Sequence, residues 1–247
     1  ESRALQETER AIRTAVQSAQ KMAKVRVDHI ILSFAGGKPR SYGLAGQIDI
    51  DGREVEEADV ARVMAACDVP DVGDERDTLH AQPVNFALDN RSGLIDPRGQ
   101  LGHTLSTDMH MLTVDAAAIQ NLVHCIKRCD LELAGIASSA YAAGYASLVE
   151  DEQELGAACI DMGGGTTTVS IFLGGHLVFV DAIAIGGNHV TRDLARVLST
   201  PEADAERIKV LHGTAQPQEA SLTEAISIPP IGDPDEHPLA QISPSQI

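Results

Sequence analysis

A mixed α/β fold is predicted by three features of the sequence. Apolar residues recur at helical spacing in several long stretches. Between them lie short apolar or β-branched runs bounded by Gly, Pro and Asp, which read as strands. One segment, Gly156-Ala157-Ala158-Cys159-Ile160-Asp161-Met162-Gly163-Gly164-Gly165-Thr166-Thr167-Thr168, joins two such runs through a lone carboxylate, three glycines and three threonines. Residues 157–160 form the first strand and 166–173 the second. Glycines let backbone come close to a ligand and turn successive N–H groups toward one centre, an anion-binding nest. Asp161 at the strand end can hold Mg²⁺ through water. An ordinary glycine-rich β-hairpin has the same signature, so this motif alone does not decide between the two.

Lys plus Arg number 19 against 36 Asp plus Glu, a formal net charge of −17. Such a field repels nucleic acid and anionic lipid, which excludes a general role on either. A bound nucleotide, itself anionic, needs local backbone donors and a metal. There is no Trp, so a stacking platform for single strands is not supported. Cys67, Cys125, Cys129 and Cys159 contain no CxxC pair, which argues against zinc and thioredoxin-like chemistry. Cys125 and Cys129 share a helix face and read as small hydrophobes in packing. No disulfide framework, signal peptide or long apolar segment is present, which suits a reducing cytosol. The chain opens inside a helix pattern and ends in a polar, Pro-containing tail, and so reads as a fragment of a longer protein.

In order along the chain, Leu5, Ile12, Ala15, Val16, Ala19, Met22 and Ala23 predict an amphipathic helix over 4–24. Residues 25–35 are β-rich and close at Gly36-Gly37-Lys38-Pro39. These glycines predict a turn and not a second phosphate loop, because no helix follows whose N-terminus could face an anion. Residues 42–50 form a strand with Asp51-Gly52 as its turn. A helix follows over 54–67, with acids suited to its N-terminal dipole. Residues 78–88 are extended, and Pro83 marks an edge or a bulge. Residues 93–102 are a turn-rich connection. His80, His103 and His110 are scattered here and read as surface or packing histidines. Residues 109–114 are a strand, and Asp115 caps a helix over 116–129.

A short apolar run at 131–136 leads into a small-residue helix around 138–148. Glu150-Asp151-Glu152 reads as an acidic surface connector and a candidate domain boundary. After the glycine segment, 176–185 is a strand. It ends at Gly186-Gly187-Asn188, and a helix carrying Val190, Leu194 and Val197 begins there. Glycines at a helix N-terminus suit phosphate or ribose, although plain helix entry gives the same pattern. Thr200-Pro201-Glu202 starts the next helix, with Thr as cap and Pro in the first position. On it Glu206 and Lys209 share a face at i,i+3, either as a solvated ion pair or as a grip on a ribose and adenine. Residues 213–247 read as loop with one strand over 225–228.

Asp161-x-Gly163-Gly164-Gly165-Thr166 between strands, Gly186-Gly187 before a helix, and Glu206-x-x-Lys209 occur in that order. The series resembles the second half of the nucleotide site in actin-like ATPases. Ala134-Gly135-Ile136-Ala137-Ser138-Ser139, Asp151-Glu152-x-Glu154-Leu155-Gly156 and Thr200-Pro201-x-x-Asp204-Ala205-Glu206-x-Ile208-Lys209-x-x-x-Gly213 narrow the resemblance to the FtsA family of bacterial cell-division proteins. It runs from about residue 4 to residue 213.

The resemblance implies actin-like, ribonuclease-H-like subdomains with an inserted α+β subdomain, 1C, of SHS2 type. Residues 1–28 and 114–152 would belong to subdomain 1A, 29–113 to 1C, 153–199 to 2A and 200–247 to 2B. The implied cofactors are ATP and Mg²⁺. Asp161 would sit by Mg²⁺ and phosphate, and Gly163, Gly164, Gly165 and Thr166 would wrap the terminal phosphates. Gly186 and Gly187 would approach phosphate or ribose, and Glu206 and Lys209 would contact the nucleoside. The implied role is an ATP-binding scaffold that self-associates into filaments, tethers FtsZ to the cytoplasmic face of the inner membrane at the division site, and recruits late divisome proteins through 1C. Membrane binding in the family belongs to a far C-terminal helix absent here, and nucleic acid is not implied.

Two departures shape the expectation. The family's first phosphate hairpin would precede residue 1 and its closing adenosine loop would follow residue 247, which predicts a half-built pocket and weak ATP binding. Several actin-like ATPases carry Glu or Gln near the position of Ala137 to orient the attacking water. Ala137-Ser138-Ser139 offers neither, and loss of a positioned base removes a factor of ~10²–10⁴ in rate, so hydrolysis is expected to be slow. A pilus-assembly actin-like adaptor shares the inserted subdomain type and is the runner-up. A chaperone ATPase or sugar kinase would keep a catalytic acid and lack the insert.

Overall fold

The computed structural model describes residues 2–215, 226–229, 231 and 240–242. Its contacts divide into two compact units, one of residues up to Asp161 plus 168–183, the other of 162–167 plus residues from Ala184 onward.

The first unit opens with α1 (Ser2–Ala23) and β1 (His29–Phe34). β2 (Arg40–Asp49), α2 (Glu57–Ala65), β3 (Arg76–Leu88), β4 (Arg91–Leu94) and β5 (Thr104–Asp115) follow. Next come α3 (Ala116–Lys127), β6 (Glu132–Ser138), α4 (Ser139–Ser147) and α5 (Glu150–Leu155). The strands β7 (Ala157–Met162), β8 (Thr167–Leu173) and β9 (His176–Ile183) form a three-stranded sheet in that order. α1 lies along α3. The thiols of Cys125 and Cys129 point at the carbonyls of Leu5 and Glu9, at 4.0 and 3.6 Å, and Arg128 pairs with Glu9 at 2.9 Å. The two cysteines four residues apart therefore serve helix packing. Asp115 caps α3 by accepting the Ala117 N–H at 3.1 Å.

β1 pairs in parallel with β6, from His29 opposite Glu132 to Phe34 opposite Ser138. The turn after β1 is closed. Gly37 has φ +75°, and a Cβ there would stand 2.9 Å from the Phe34 ring and 3.1 Å from Val114. Its carbonyl accepts the Asp115 N–H at 2.7 Å. Gly37 is thus a glycine of conformation and packing.

Residues 40–115 form an antiparallel sheet in the order β2-β5-β3-β4, with α2 packed on β2 and β5. Its main core joins Ile50, Val55, Val63, Phe86, Leu88 and Leu105. α2 begins at Glu57 and not at 54, because Glu54 bridges to Leu101 and the Val55 N–H donates to Gln100 O at 2.9 Å. Asp59 is buried under Arg53 and Arg62, at 2.5 and 2.9 Å, and accepts the Glu56 N–H at 3.0 Å. The Arg53 hydrogen bond holds its carboxyl well below the usual carboxylate range. Pro83 falls where the β3–β5 register shifts, a bulge that relieves its missing N–H. β4 was not predicted, since four residues with Ser and Gly carry no period. β5 extends five residues earlier than its apolar run, with Met109 to Val114 buried on both faces.

His80, half-buried, and His110, buried, serve packing as expected, each with its own partners. His80 Nε2 accepts the Ser138 N–H at 2.9 Å and the ring packs on Tyr141. His110 Nε2 meets Ser41 Oγ at 2.9 Å, and that hydroxyl also takes the Val180 N–H at 2.8 Å and donates to Val180 O at 2.9 Å. Burial lowers both histidines, His110 to about 4. Leu112, Ala140, Phe172, Leu177 and Val180 form the adjoining core, and Ser170 Oγ donates to Ala140 O at 3.0 Å. The acidic stretch read as a connector is the start of α5, whose first turn is tied by Glu152 accepting the Val149 N–H at 3.0 Å.

The second unit holds the glycine turn, α6 (Gly187–Leu198), α7 (Glu202–His212), and the antiparallel pair β10 (Ile226–Ile228) and β11 (Ala240–Ile242). Ile208 packs on Ile226 and Ile228. Residue 225 of the predicted strand lies outside the described residues. Thr200 does not cap α7. Its hydroxyl donates to Pro229 O at 2.6 Å, joining α7 to the β10 segment, and Pro201 holds the cap position without a side-chain bond. Among the described residues no helix is long and apolar enough to cross a membrane.

Candidate functional site

Of the predicted site residues, Gly163, Gly164, Gly165, Thr166, Gly186, Gly187, Glu206 and Lys209 fall in the second unit, and Asp161 falls in the first. Asp161 is half-buried near the end of β7.

The turn between β7 and β8 is held by one narrow bond, Gly163 N–H to Thr166 O at 2.9 Å. The return bond is missing because the Gly163 carbonyl turns instead to the start of α6. There it accepts the Gly187 N–H at 3.0 Å, and Gly164 O accepts the Asn188 N–H at 2.7 Å. Two amides that open a helix are thus satisfied by the turn's own carbonyls, whose negative ends suit the helix dipole. Thr167 Oγ1 donates to Ile185 O at 2.8 Å and ties the returning strand to the same segment. His189 Nδ1 accepts the Gly186 N–H at 3.1 Å, filling the capping role more often taken by Glu or Gln.

The consequence lies at the tip. Among the described residues no acceptor meets the N–H groups of Gly164, Gly165 or Thr166, and the three glycines are exposed. None of the three adopts a positive φ. Room for a side chain differs along the segment. A Cβ on Gly165 would meet nothing within 4 Å, whereas one on buried Gly186 would stand 2.4 Å from Gly163 O and 2.7 Å from Gly164 O. The turn is therefore rigidly backed at Gly186 and open at Gly165. Gly186 and Gly187 act on the turn backbone to backbone, and the amide of Gly187 is already taken.

α7 brings Glu206 and Lys209 to the same junction. Lys209 Nζ lies 2.7 Å from Glu206 Oε2, 2.8 Å from Thr191 Oγ1 and 3.2 Å from Gly187 O. Thr191 Oγ1 also donates to Glu206 Oε2. The Lys209 hydrogen bond, then the Thr191 one, lowers the Glu206 carboxyl below its ordinary value. Thr191 escaped the sequence reading. Its only signal is a hydroxyl one turn after Gly187, a position where Thr Oγ1 commonly lies against the i−4 carbonyl, here 3.1 Å away.

Chemically, the tip offers an anion three N–H groups that have no acceptor among the described residues, and the α7 carboxylate can accept from a hydroxyl. Among the described residues no group of three or more His, Cys, Asp or Glu side chains is set to hold a metal ion. A single carboxylate such as Asp161 fits Mg²⁺ carried largely by phosphate oxygens and water, not a protein cage. Near Ala137, Ser138 N–H is taken by His80, and Ser139 Oγ is buried without a partner among the described residues.

Comparison with solved structures fixes the class. A "PilM-PilN type IV pilus biogenesis complex" chain superposes over 82% of this chain and 56% of its own length, with a TM-score of 0.55 at 15% identity. Residues 36–113 match the family profile described as "SHS2 domain inserted in FTSA". The fold is actin-like, with an inserted SHS2-type α+β subdomain.

Sequence comparison narrows this further. Residues 158–245 match the profile "Cell division protein FtsA". FtsA of Rhizobium meliloti (strain 1021) is 45% identical over 94% of this chain and 52% of its own length. The proteins of Pseudomonas aeruginosa and Escherichia coli (strain K12) are 35% and 31% identical over 93% and 92% of this chain, covering 55% and 54% of their own lengths. The chain belongs to the FtsA family. It spans about half the length of the curated relatives it matches.

Proposed function

We propose that this chain supplies one half of an ATP site in an actin-like cell-division scaffold. The protein self-associates into filaments, tethers FtsZ to the cytoplasmic face of the inner membrane at the division site, and recruits late division proteins through the SHS2-type insert. The supporting observation is the turn at Gly163 to Thr166. It presents three N–H groups that have no acceptor among the described residues, backed by a helix start that a single methyl at Gly186 would displace. Gly164, Gly165 and Thr166 would take the terminal phosphates, Asp161 the Mg²⁺ through water, and the α7 pair the nucleoside side. When bound, Mg²⁺ would shield phosphate charge against a protein of net charge −17. The subdomain limits are proposed as 1–28 and 114–152 for 1A, 29–113 for 1C, 153–199 for 2A and 200–247 for 2B. With Ala137 in place of an amide or carboxylate, turnover stays below about 1 s⁻¹, the low end of ordinary enzymes.

The test is co-sedimentation of the intact protein with FtsZ and inner-membrane lipid, with and without ATP, beside a phosphate-release assay. ATP-dependent pelleting with FtsZ and little release supports the reading. Fast release, or pelleting indifferent to ATP, overturns it.

A further inference from the structure

We infer that Thr191 is a positioning residue for the nucleoside end of the site, where it aims Glu206 and is itself held by Lys209. The inference rests on the nucleotide reading above and deepens it. A Lys ammonium has three protons. At Lys209 they face three protein acceptors: Gly187 O at 3.2 Å, Thr191 Oγ1 at 2.8 Å and Glu206 Oε2 at 2.7 Å. Thr191 has one proton and two acceptors in reach, Gly187 O at 3.1 Å and the closer, charged Glu206 Oε2, and the carboxylate takes it. Gly187 O is then left to Lys209. The network closes on itself and ties α7 to the residue whose amide holds the phosphate turn.

One polar atom stays open. Among the described residues no partner meets Glu206 Oε1, and nearly half of that side chain is exposed. Thr191, by contrast, is buried, so the hydroxyl that aims the carboxylate is itself fixed by packing. A carboxylate oxygen accepts and cannot donate. The nucleoside donors it can read are the sugar hydroxyls and the adenine amino group, and the one proposed is the sugar hydroxyl, which comparison with the 2′-deoxy analogue tests. A site built to bond a hydroxyl discriminates against the analogue that lacks it.

The experiment measures equilibrium binding of ATP, 2′-deoxy-ATP and inorganic tripolyphosphate to the intact protein, to Thr191→Val and to Thr191→Ser. Loss of one hydrogen bond to a charged group should weaken ATP about tenfold in Thr191→Val. 2′-Deoxy-ATP should barely change, so the ratio of the two falls toward one. Thr191→Ser should restore both the affinity and the ratio. Tripolyphosphate, which sees only the turn, should bind all three proteins alike. An unchanged ATP to 2′-deoxy-ATP ratio in Thr191→Val overturns the inference. So does an equal loss of tripolyphosphate, which would make Thr191 a support of the turn. If the unaltered protein binds neither ATP nor tripolyphosphate, the nucleotide reading itself fails and takes the inference with it.

Discussion

Two glycine turns in this chain look alike in sequence and are built for opposite ends. Gly36-Gly37 follows β1, and Gly163-Gly164-Gly165 follows β7. At Gly37 the backbone is left-handed, and a Cβ would meet Phe34 and Val114. At Gly165 the φ is ordinary and a Cβ would meet nothing. The first turn is filled by its own side chains. The second leaves three amides without an acceptor among the described residues and is braced from behind by Gly186. A glycine that the fold requires is recognised by what its missing side chain would strike. A glycine kept for a ligand is recognised by empty space in front of unpaired donors.

The largest effect should come from the brace. Gly186→Val puts a branched side chain against two carbonyls at 2.4 and 2.7 Å. Overpacking of this kind costs ~3 kcal/mol where it can be accommodated at all, and the tip amides should lose their arrangement. Thermal melting and tripolyphosphate binding would both fall. Retained phosphate binding would show that the turn needs no brace.

Acid should strike the closed region next. His110 titrates at about 4 in the folded chain against an ordinary 6.5, because burial disfavours the cation. Its folded pKa is depressed, so the unfolded chain binds the extra proton first. Stability is whole above about pH 6.5, declines as pH falls toward 4, and levels off below that. The linkage amounts to roughly 3 kcal/mol. His110→Gln should flatten that slope in melts run across the window. An unaltered slope would remove His110 as its cause.

Gly37→Ala combines a strained φ with a contact of 2.9 Å. A loss of about 2 kcal/mol is expected, without change in phosphate affinity. Gly165→Ala should do the reverse. Stability should move by less than ~0.5 kcal/mol, while phosphate binding weakens because the methyl stands where the anion would. If the two alanines gave the same pattern in denaturation and binding, the contrast drawn between the turns would be wrong.

Much of this was legible in the residues. Periodicity located α1, α3 and α6, Thr200-Pro201-Glu202 marked the start of α7, Asp115 announced the cap of α3, and Pro83 announced its bulge. The rejection of Gly36-Gly37 as an anion loop agrees with its packed turn. What escaped depended on partners remote in sequence. β4 exists because β3 offers it an edge. α2 starts late because Glu54 pairs with Leu101. Thr200 reads as a cap, yet bonds to Pro229. Thr191 had no motif to mark it, because its role arises only when α6 and α7 pack.

The sequence by itself determined the order of helices and strands, the family, and the chemical character of the glycine turn, because these follow from local spacing and residue type. Only the tertiary structure decided which amides remain open, which are consumed by neighbouring carbonyls, and where the protons of Lys209 go. Hydrogen-bond satisfaction is a property of distances between segments, and no single segment carries it.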